Sequence, residues 1–215
     1  FSIVKYTGND TVGATIGHGL GAVPKMIIIK RYTDVRNWPV YHHSIGNTNK
    51  LYLNLTDSLS SSTNWNSTTP SDTLFTVSDA SDVNGGGGSS NYIAYCFAEK
   101  QGFSKFGSYI GNNNADGPMV YTGFKPAFVM VKRSDSAGER WNIKDNKRDG
   151  YNQTDPVLTA DSSGAEYDDA QMDLLSNGFK IRTSAVSTNA SGGTYIYMAF
   201  GQSLVGTNNI PNNAR

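Results

Sequence analysis

Cysteine is almost absent from this chain. There is one, Cys96, in 215 residues, so no intrachain disulfide can form. Charge of one sign is missing too. Lys plus Arg number 18 and Asp plus Glu number 18, so the formal net charge is zero. That argues against a nucleic-acid binder, which usually carries a basic excess. No apolar run approaches the roughly 18 residues of a membrane-spanning helix. With 3 histidines and the one cysteine, ligands for a zinc site are scarce. A leading methionine and a signal-like segment are also lacking, and the chain reads as a mature or C-terminal piece of something longer.

What is present is glycine, 23 residues of it, with abundant Ser, Thr and Asn and only 17% charged residues. This is the composition of many short strands joined by turns, and it predicts an all-β protein. The length suits one large β domain or two small ones with a real core.

The strongest organising signal is an internal repeat. "FSIVKYTGN" at Phe1 returns as "FSKFGSYIGN" at Phe103, "VPKMIIIKR" at Val23 as "KPAFVMVKR" at Lys125, and "NYIAYCFAE" at Asn91 as "TYIYMAFGQ" at Thr194. The offset is 102 at Pro24/Pro126, 103 at Trp38/Trp141, 104 at Phe75/Phe179 and 103 at Phe97/Phe200. The chain is therefore expected to hold two tandem, closely packed β-sandwich-like repeats, 1–102 and 103–215, or one compact pseudo-symmetric unit.

The matched blocks read as strands. "KMIIIKRY" is β-branched and bounded by Pro24 and "TDVRN". "NYIAYCFA" is apolar on both alternating sets, as expected of a strand covered on both faces. Further strands are expected at Phe1–Tyr6, Trp38–His43, Leu51–Leu55, Thr73–Val77, Met119–Thr122 and Phe179–Thr183. One short helix is predicted near 166–176, where Ala170, Leu174 and Leu175 have helical spacing and Asn177-Gly178 supplies a stop.

Each group of chemically capable residues also has a purely structural role open to it. "NGGGGSS" at Asn84 lacks the Lys of a phosphate loop and precedes a strand, so it reads as a tight hairpin turn. His18 has no nucleophile motif beside it. His42 and His43 are strand neighbours that point to opposite faces and cannot easily share a metal. Asp79, Asp82 and Asn84 offer oxygen ligands in one loop, but without EF-hand spacing, and read as turn residues. Glu166, Asp168, Asp169 and Asp173 cluster on the predicted helix, with no facing partner for a glycosidase carboxylate pair. Cys96 matches Ala199 and reads as a core filler. Trp38 and Trp141 match across the halves and read as core. Trp65, in a polar loop without a counterpart, and Tyr151, in "RDGYNQTDP", are the candidate surface-binding residues, suited to stacking on a sugar or docking a partner; for Trp65 a place tucked into the core stays open. No catalytic residue, cofactor or metal site is read.

The ordered blocks, with "GATIGHGLG", "NWPVYHH", "LYLNLT", "ADGPMVYTGFKPAFVMVKR", "LLSNGFKIRT" and the closing "IPNNAR", resemble a domain of marine bacteriophage virion proteins. The resemblance implies a non-enzymatic virion structural protein, a tail-fibre domain involved in host attachment, exposed on the phage particle and trimeric. It implies other virion proteins and/or a host-surface glycan or receptor as partners, while the neutral charge and the lack of a long apolar run are what speak for no nucleic acid and no membrane insertion. A capsid-decorating or head-fibre protein and a carbohydrate-binding module are the alternatives. The resemblance supplies no site residues.

Overall fold

The structure, a computed structural model, describes residues 1–149 and 152–202. It is all-β, with sandwich- and barrel-like packing, and it divides into two compact units. Unit 1 comprises Phe1–Glu99, Arg133–Trp141 and Ala160–Ser162, and unit 2 Lys100–Lys132, Asn142–Thr159 and the residues from Ser163 on. The units thus depart from the sequence halves at two segments of the second half, which join unit 1.

In unit 1 the strands are β1 (Ser2–Thr7), β2 (Ala14–Gly17), β3 (Pro24–Arg31), β4 (Pro39–His42), β5 (Asn49–Tyr52), β6 (Ser60–Ser61), β7 (Leu74–Val77) and β8 (Asn91–Ala98). Six of them form one antiparallel sheet in the order β1-β8-β3-β4-β5-β6, while β2 and β7 pair separately. Alternation puts Tyr92, Ala94 and Cys96 of β8 on one face, all fully buried, beside Ile27 and Ile29 of β3. Phe75 and Val77 of β7 pack into the same cluster with Tyr41, Trp65 and Val83, so the β2-β7 ribbon lies over the inner face of the larger sheet. Trp141 is buried in this unit as well, its indole N–H donating to the Tyr52 carbonyl at 2.9 Å.

In unit 2 the strands are β9 (Ser104–Ile110), β10 (Met119–Tyr121), β11 (Pro126–Arg133), β12 (Trp141–Asp145), β13 (Thr154–Thr159), β14 (Tyr167–Leu175), β15 (Gly178–Ile181) and β16 (Thr194–Gly201), with the four-residue helix α1 (Val186–Asn189). The end residues Arg133 and Trp141 are those counted with unit 1. The eight strands form one sheet in the order β9-β16-β11-β12-β13-β14-β15-β10. Its two ends share one core: Tyr109, Tyr195, Tyr197, Val129 and Val131 from one side meet Met172, Leu174, Phe179, Ile181 and Val120 from the other. The sheet curls upon itself to bury them. Its strand order repeats that of unit 1, with the difference that unit 1 breaks the sheet between β6 and β7.

Two sequence expectations are corrected here. The stretch predicted as a helix near 166–176 is strand β14. Its burial alternates, with Ala170, Met172 and Leu174 inside. The spacing of Ala170 and Leu174 fits both periods, and Met172 between them decides for a strand. β14 also carries a bulge. Thr154 faces Met172 but Pro156 faces Asp168, so β14 takes up extra residues there, with Ala170 at φ 50°. The buried Lys144 ammonium fills the irregularity, donating to the carbonyls of Thr154, Asp155 and Asp169 at 3.3, 2.7 and 2.6 Å. Asn177 belongs to the two-residue turn of the β14-β15 hairpin, in which Leu175 pairs with Gly178.

The glycine run is a turn, but not of a hairpin. It joins β7 to β8, which lie in different sheets. Gly86, Gly87 and Gly88 take φ values of 105°, 56° and 82°, which favour glycine. The loop is held by a clasp that recurs in unit 2. The Asn84 side chain accepts from the Asn9 N–H at 3.1 Å and donates to Asn9 Oδ1 and to the Thr11 carbonyl at 2.9 and 3.0 Å. Asn189 does the same with the Asn112 N–H, Asn112 Oδ1 and the Asn114 carbonyl, at 2.8, 3.1 and 2.8 Å. A stacked tyrosine pair lies beside each clasp: Tyr6 with Tyr92 at 5.2 Å and Tyr109 with Tyr195 at 5.0 Å. Gly8 and Gly111 precede the clasps, where a Cβ would lie 2.6 Å from the Asn84 oxygen and 2.2 Å from the Ala190 oxygen.

Candidate functional site

Among the described residues, those singled out from sequence lie apart, each with its own partners. Trp65, a candidate for surface binding, is 1% exposed. Its indole N–H donates to the Asn49 carbonyl at 3.0 Å and its ring meets Tyr41 edge-on. The polar loop around it contributes an indole to the core, because both its ring and its N–H find partners there. Tyr151 lies outside the described residues. His18 is buried; its Nδ1 accepts from the Leu20 N–H, which leaves Nε2 to donate to the Ser71 carbonyl at 3.1 Å. Asn84 is committed to its clasp, and Asp82 accepts from the Tyr52 hydroxyl at 2.9 Å. Glu166 pairs with Arg148 and Asp173 with Arg182. Cys96 is buried and burial pushes its thiol up to about 12. Among the described residues no group of three or more His, Cys, Asp or Glu is placed to hold a metal ion, and no helix is long and apolar enough to cross a membrane.

The surface feature that does stand out is a groove of about 560 Å³ on the β1-β8-β3 face of unit 1, lined by Lys5, Lys30, Tyr32, Asp34, Trp38, Ile93 and Tyr95. Strand register builds its floor. Lys5 of β1 and Lys30 of β3 both stand opposite Ile93 of β8, and Ile3 and Ile28 both stand opposite Tyr95. Directly opposed residues share a face. This is the face turned away from Tyr92, Ala94 and Cys96, so Ile93 and Tyr95 are only half-buried. Three adjacent strands at about 4.8 Å spacing put the two lysine Cα atoms roughly 10 Å apart across that floor.

The connection from β3 to β4 makes the wall. Tyr32 follows β3 and is 46% exposed, and Trp38 precedes β4 and is half-buried. The Lys30 ammonium holds this loop by donating to the Arg36 carbonyl at 2.7 Å, and it lies 5.8 Å from the Trp38 ring centre. Trp38 is fixed from behind, its backbone N–H donating to Asn54 Oδ1 at 2.9 Å. The Lys5 ammonium lies 5.5 Å from the Tyr32 ring centre, and its hydrogen bond with Tyr32 raises its pKa above the ordinary lysine value. Asp34 is taken by Arg31 at 2.9 Å and Arg36 at 3.6 Å. The groove therefore offers exposed aromatic faces flanked by two ammonium groups, an arrangement for stacking on a ring and donating hydrogen bonds to its substituents.

None of these seven residues was singled out as a surface site from sequence, and Trp38 was read as core. The signal available was the alternation of Ile3 and Lys5 in "FSIVKYT", but which strands flank β8 is not written in any local pattern. The second half does not repeat the groove: Ser108 stands where Lys5 does at the 103 offset, and Trp141 is buried.

The chain belongs to the family described as Domain of unknown function (DUF7483), which matches residues 1–203. No curated protein and no solved structure matches it.

Proposed function

We propose that this chain is a non-enzymatic structural domain of a bacteriophage virion, a tail-fibre domain that takes part in host attachment, and that the Trp38 groove meets a glycan on the host surface. The setting is supported by the ordered sequence blocks that resemble phage virion proteins. The contact is supported by Trp38. The other two tryptophans are 1% and 2% exposed, while Trp38 is left half-buried at a groove with Tyr32 and Tyr95. An indole held in place and open on one side suits the apolar face of a sugar, and aromatic side chains concentrate in recognition surfaces. On this reading the partners are other virion proteins and the host glycan, the location is the particle surface, and the assembly is a homotrimer, the last by resemblance alone.

The test has two parts. Antibody-labelled virions imaged by electron microscopy place the protein on tail fibres, and the isolated chain adsorbs to host cells, with Trp38→Ala lowering adsorption about tenfold or more while unfolding is unchanged. Label confined to the capsid shell, with no adsorption to cells, replaces this reading with the capsid-decorating one.

A further inference from the structure

We infer that the Trp38 groove selects an acidic glycan, a polysaccharide bearing carboxylate or sulfate groups. The inference rests on the attachment reading above and narrows it. Its basis is the charge of the groove. The chain as a whole is neutral. The groove is lined by two ammonium groups, Lys5 and Lys30, against a single carboxylate, Asp34, which pairs with Arg31 and Arg36 from beside it. That carboxylate is held by both arginines, so it does not neutralise the lysines. Lys5 faces an aromatic ring, and Lys30 donates to backbone carbonyls at 2.7 and 3.5 Å; neither forms an ion pair among the described residues.

Two lysines without carboxylate partners, rooted on either side of an apolar floor with their Cα atoms about 10 Å apart, match anionic substituents spaced along a chain better than a neutral sugar. The floor of Ile93 and Tyr95 and the wall of Tyr32 and Trp38 hold the sugar rings, and the lysines each offer donors to an acidic oxygen. A compact ammonium on a flexible stem, rather than a rigid guanidinium fork, suits acidic groups whose orientation varies along a polymer. The lysine positions also explain why the second half lacks the function: Ser108 replaces Lys5, and the counterpart of Lys30, Lys132, is fully buried.

The experiment is titration of the full chain with a polyuronate, a sulfated galactan, a neutral galactan and double-stranded DNA, at low and high salt, alongside whole-cell adsorption. An acidic polysaccharide bound about tenfold or more tighter than the neutral one, and more tightly than DNA, is the expected result. Lys5→Gln and Lys30→Gln should each lower that affinity and flatten its salt dependence. Lys5→Gln is the decisive variant, because Lys5 does not hold the loop's backbone carbonyls as Lys30 does. Equal binding of neutral and acidic polymers, or an unchanged preference in Lys5→Gln/Lys30→Gln, overturns acidic selection and leaves attachment standing. Equal binding of DNA overturns it as mere polyanion attraction. Cell adsorption that depends on Trp38 without binding any acidic polymer overturns the inference alone, whereas loss of both cell and glycan binding in the wild type overturns attachment as well.

Discussion

Asn84 and Asn9, 75 positions apart, hold each other by reciprocal side-chain bonds: Asn84 Oδ1 accepts from the Asn9 backbone at 3.1 Å, and Asn84 Nδ2 donates to Asn9 Oδ1 at 2.9 Å. Asn84 is 1% exposed and its twin Asn189 is fully buried. Each clasp ties the end of an edge strand, β1 or β9, to the connection that crosses into β8 or β16. The polar loops of this protein are therefore part of its frame.

Asn84→Ala should lower stability by about 1–3 kcal/mol, because the Asn9 N–H and the Thr11 carbonyl lose their protein partner. Asn189→Ala should cost somewhat more, since it also loses the bond from Nδ2 to the Thr183 carbonyl at 2.7 Å. Asn91→Ala, which removes only an exposed contact with Thr7 at 3.0 Å, is the control and should cost under about 0.5 kcal/mol. Urea unfolding midpoints read all three. An Asn84 variant as stable as the control would sink the clasp.

The tryptophans should separate by role. Trp65→Ala empties a buried site and loses the bond to Asn49, costing about 3–5 kcal/mol. Trp38→Ala should cost about 1 kcal/mol or less and leave the unfolding transition cooperative. Thermal unfolding of the two variants side by side decides this, and the reverse ranking would contradict the assignment.

Lys144 gives the fold a signature in alkali. Burial pulls its pKa down to about 8, although it sits among carbonyls, while the unfolded lysine titrates near 10.5. Below pH 8 both states are charged and the burial cost is fully present. From about pH 8 to 10.5 the unfolded chain holds the extra proton, so stability should rise with pH relative to Lys144→Met. The gain amounts to about 3 kcal/mol at most. Comparing the two proteins cancels the opposing effects of the buried tyrosines, and a falling difference would refute the assignment. Lys144→Met should itself be less stable at neutral pH, since three carbonyls lose their donor.

Cys96 should be inert in the folded protein. Burial raises its thiol to about 12 from an ordinary 9, so the stability it contributes is present below pH 9 and is lost as the pH climbs toward 12. A thiol reagent at pH 8 should leave native Cys96 unlabelled and modify it at once in urea. Cys96→Ala should cost about 1 kcal/mol, because Ala199 already fills the matching place on β16.

The sequence by itself determined the all-β class and most of the strands. Strands β3, β8 and β16 carry their identity in dense apolar and β-branched runs, and the turn at Gly86–Gly88 in residues that allow positive φ. It also set the fate of Cys96, through the match to Ala199. These are local properties of side-chain type and period.

Tertiary structure decided the rest. Ala170 and Leu174 fit a helix or a strand equally, and only pairing with β13 and β15 made them a strand, with a bulge filled by Lys144 from β12. The polar loop around Trp65 left both an exposed and a core place open, and the carbonyl of Asn49 and the ring of Tyr41, both distant in sequence, gave it the buried one. The groove depended on β8 lying between β1 and β3, which brought Lys5, Ile93 and Lys30 into one row. Such juxtapositions come from pairing across long stretches of chain, and no short window of sequence contains the partner that makes them.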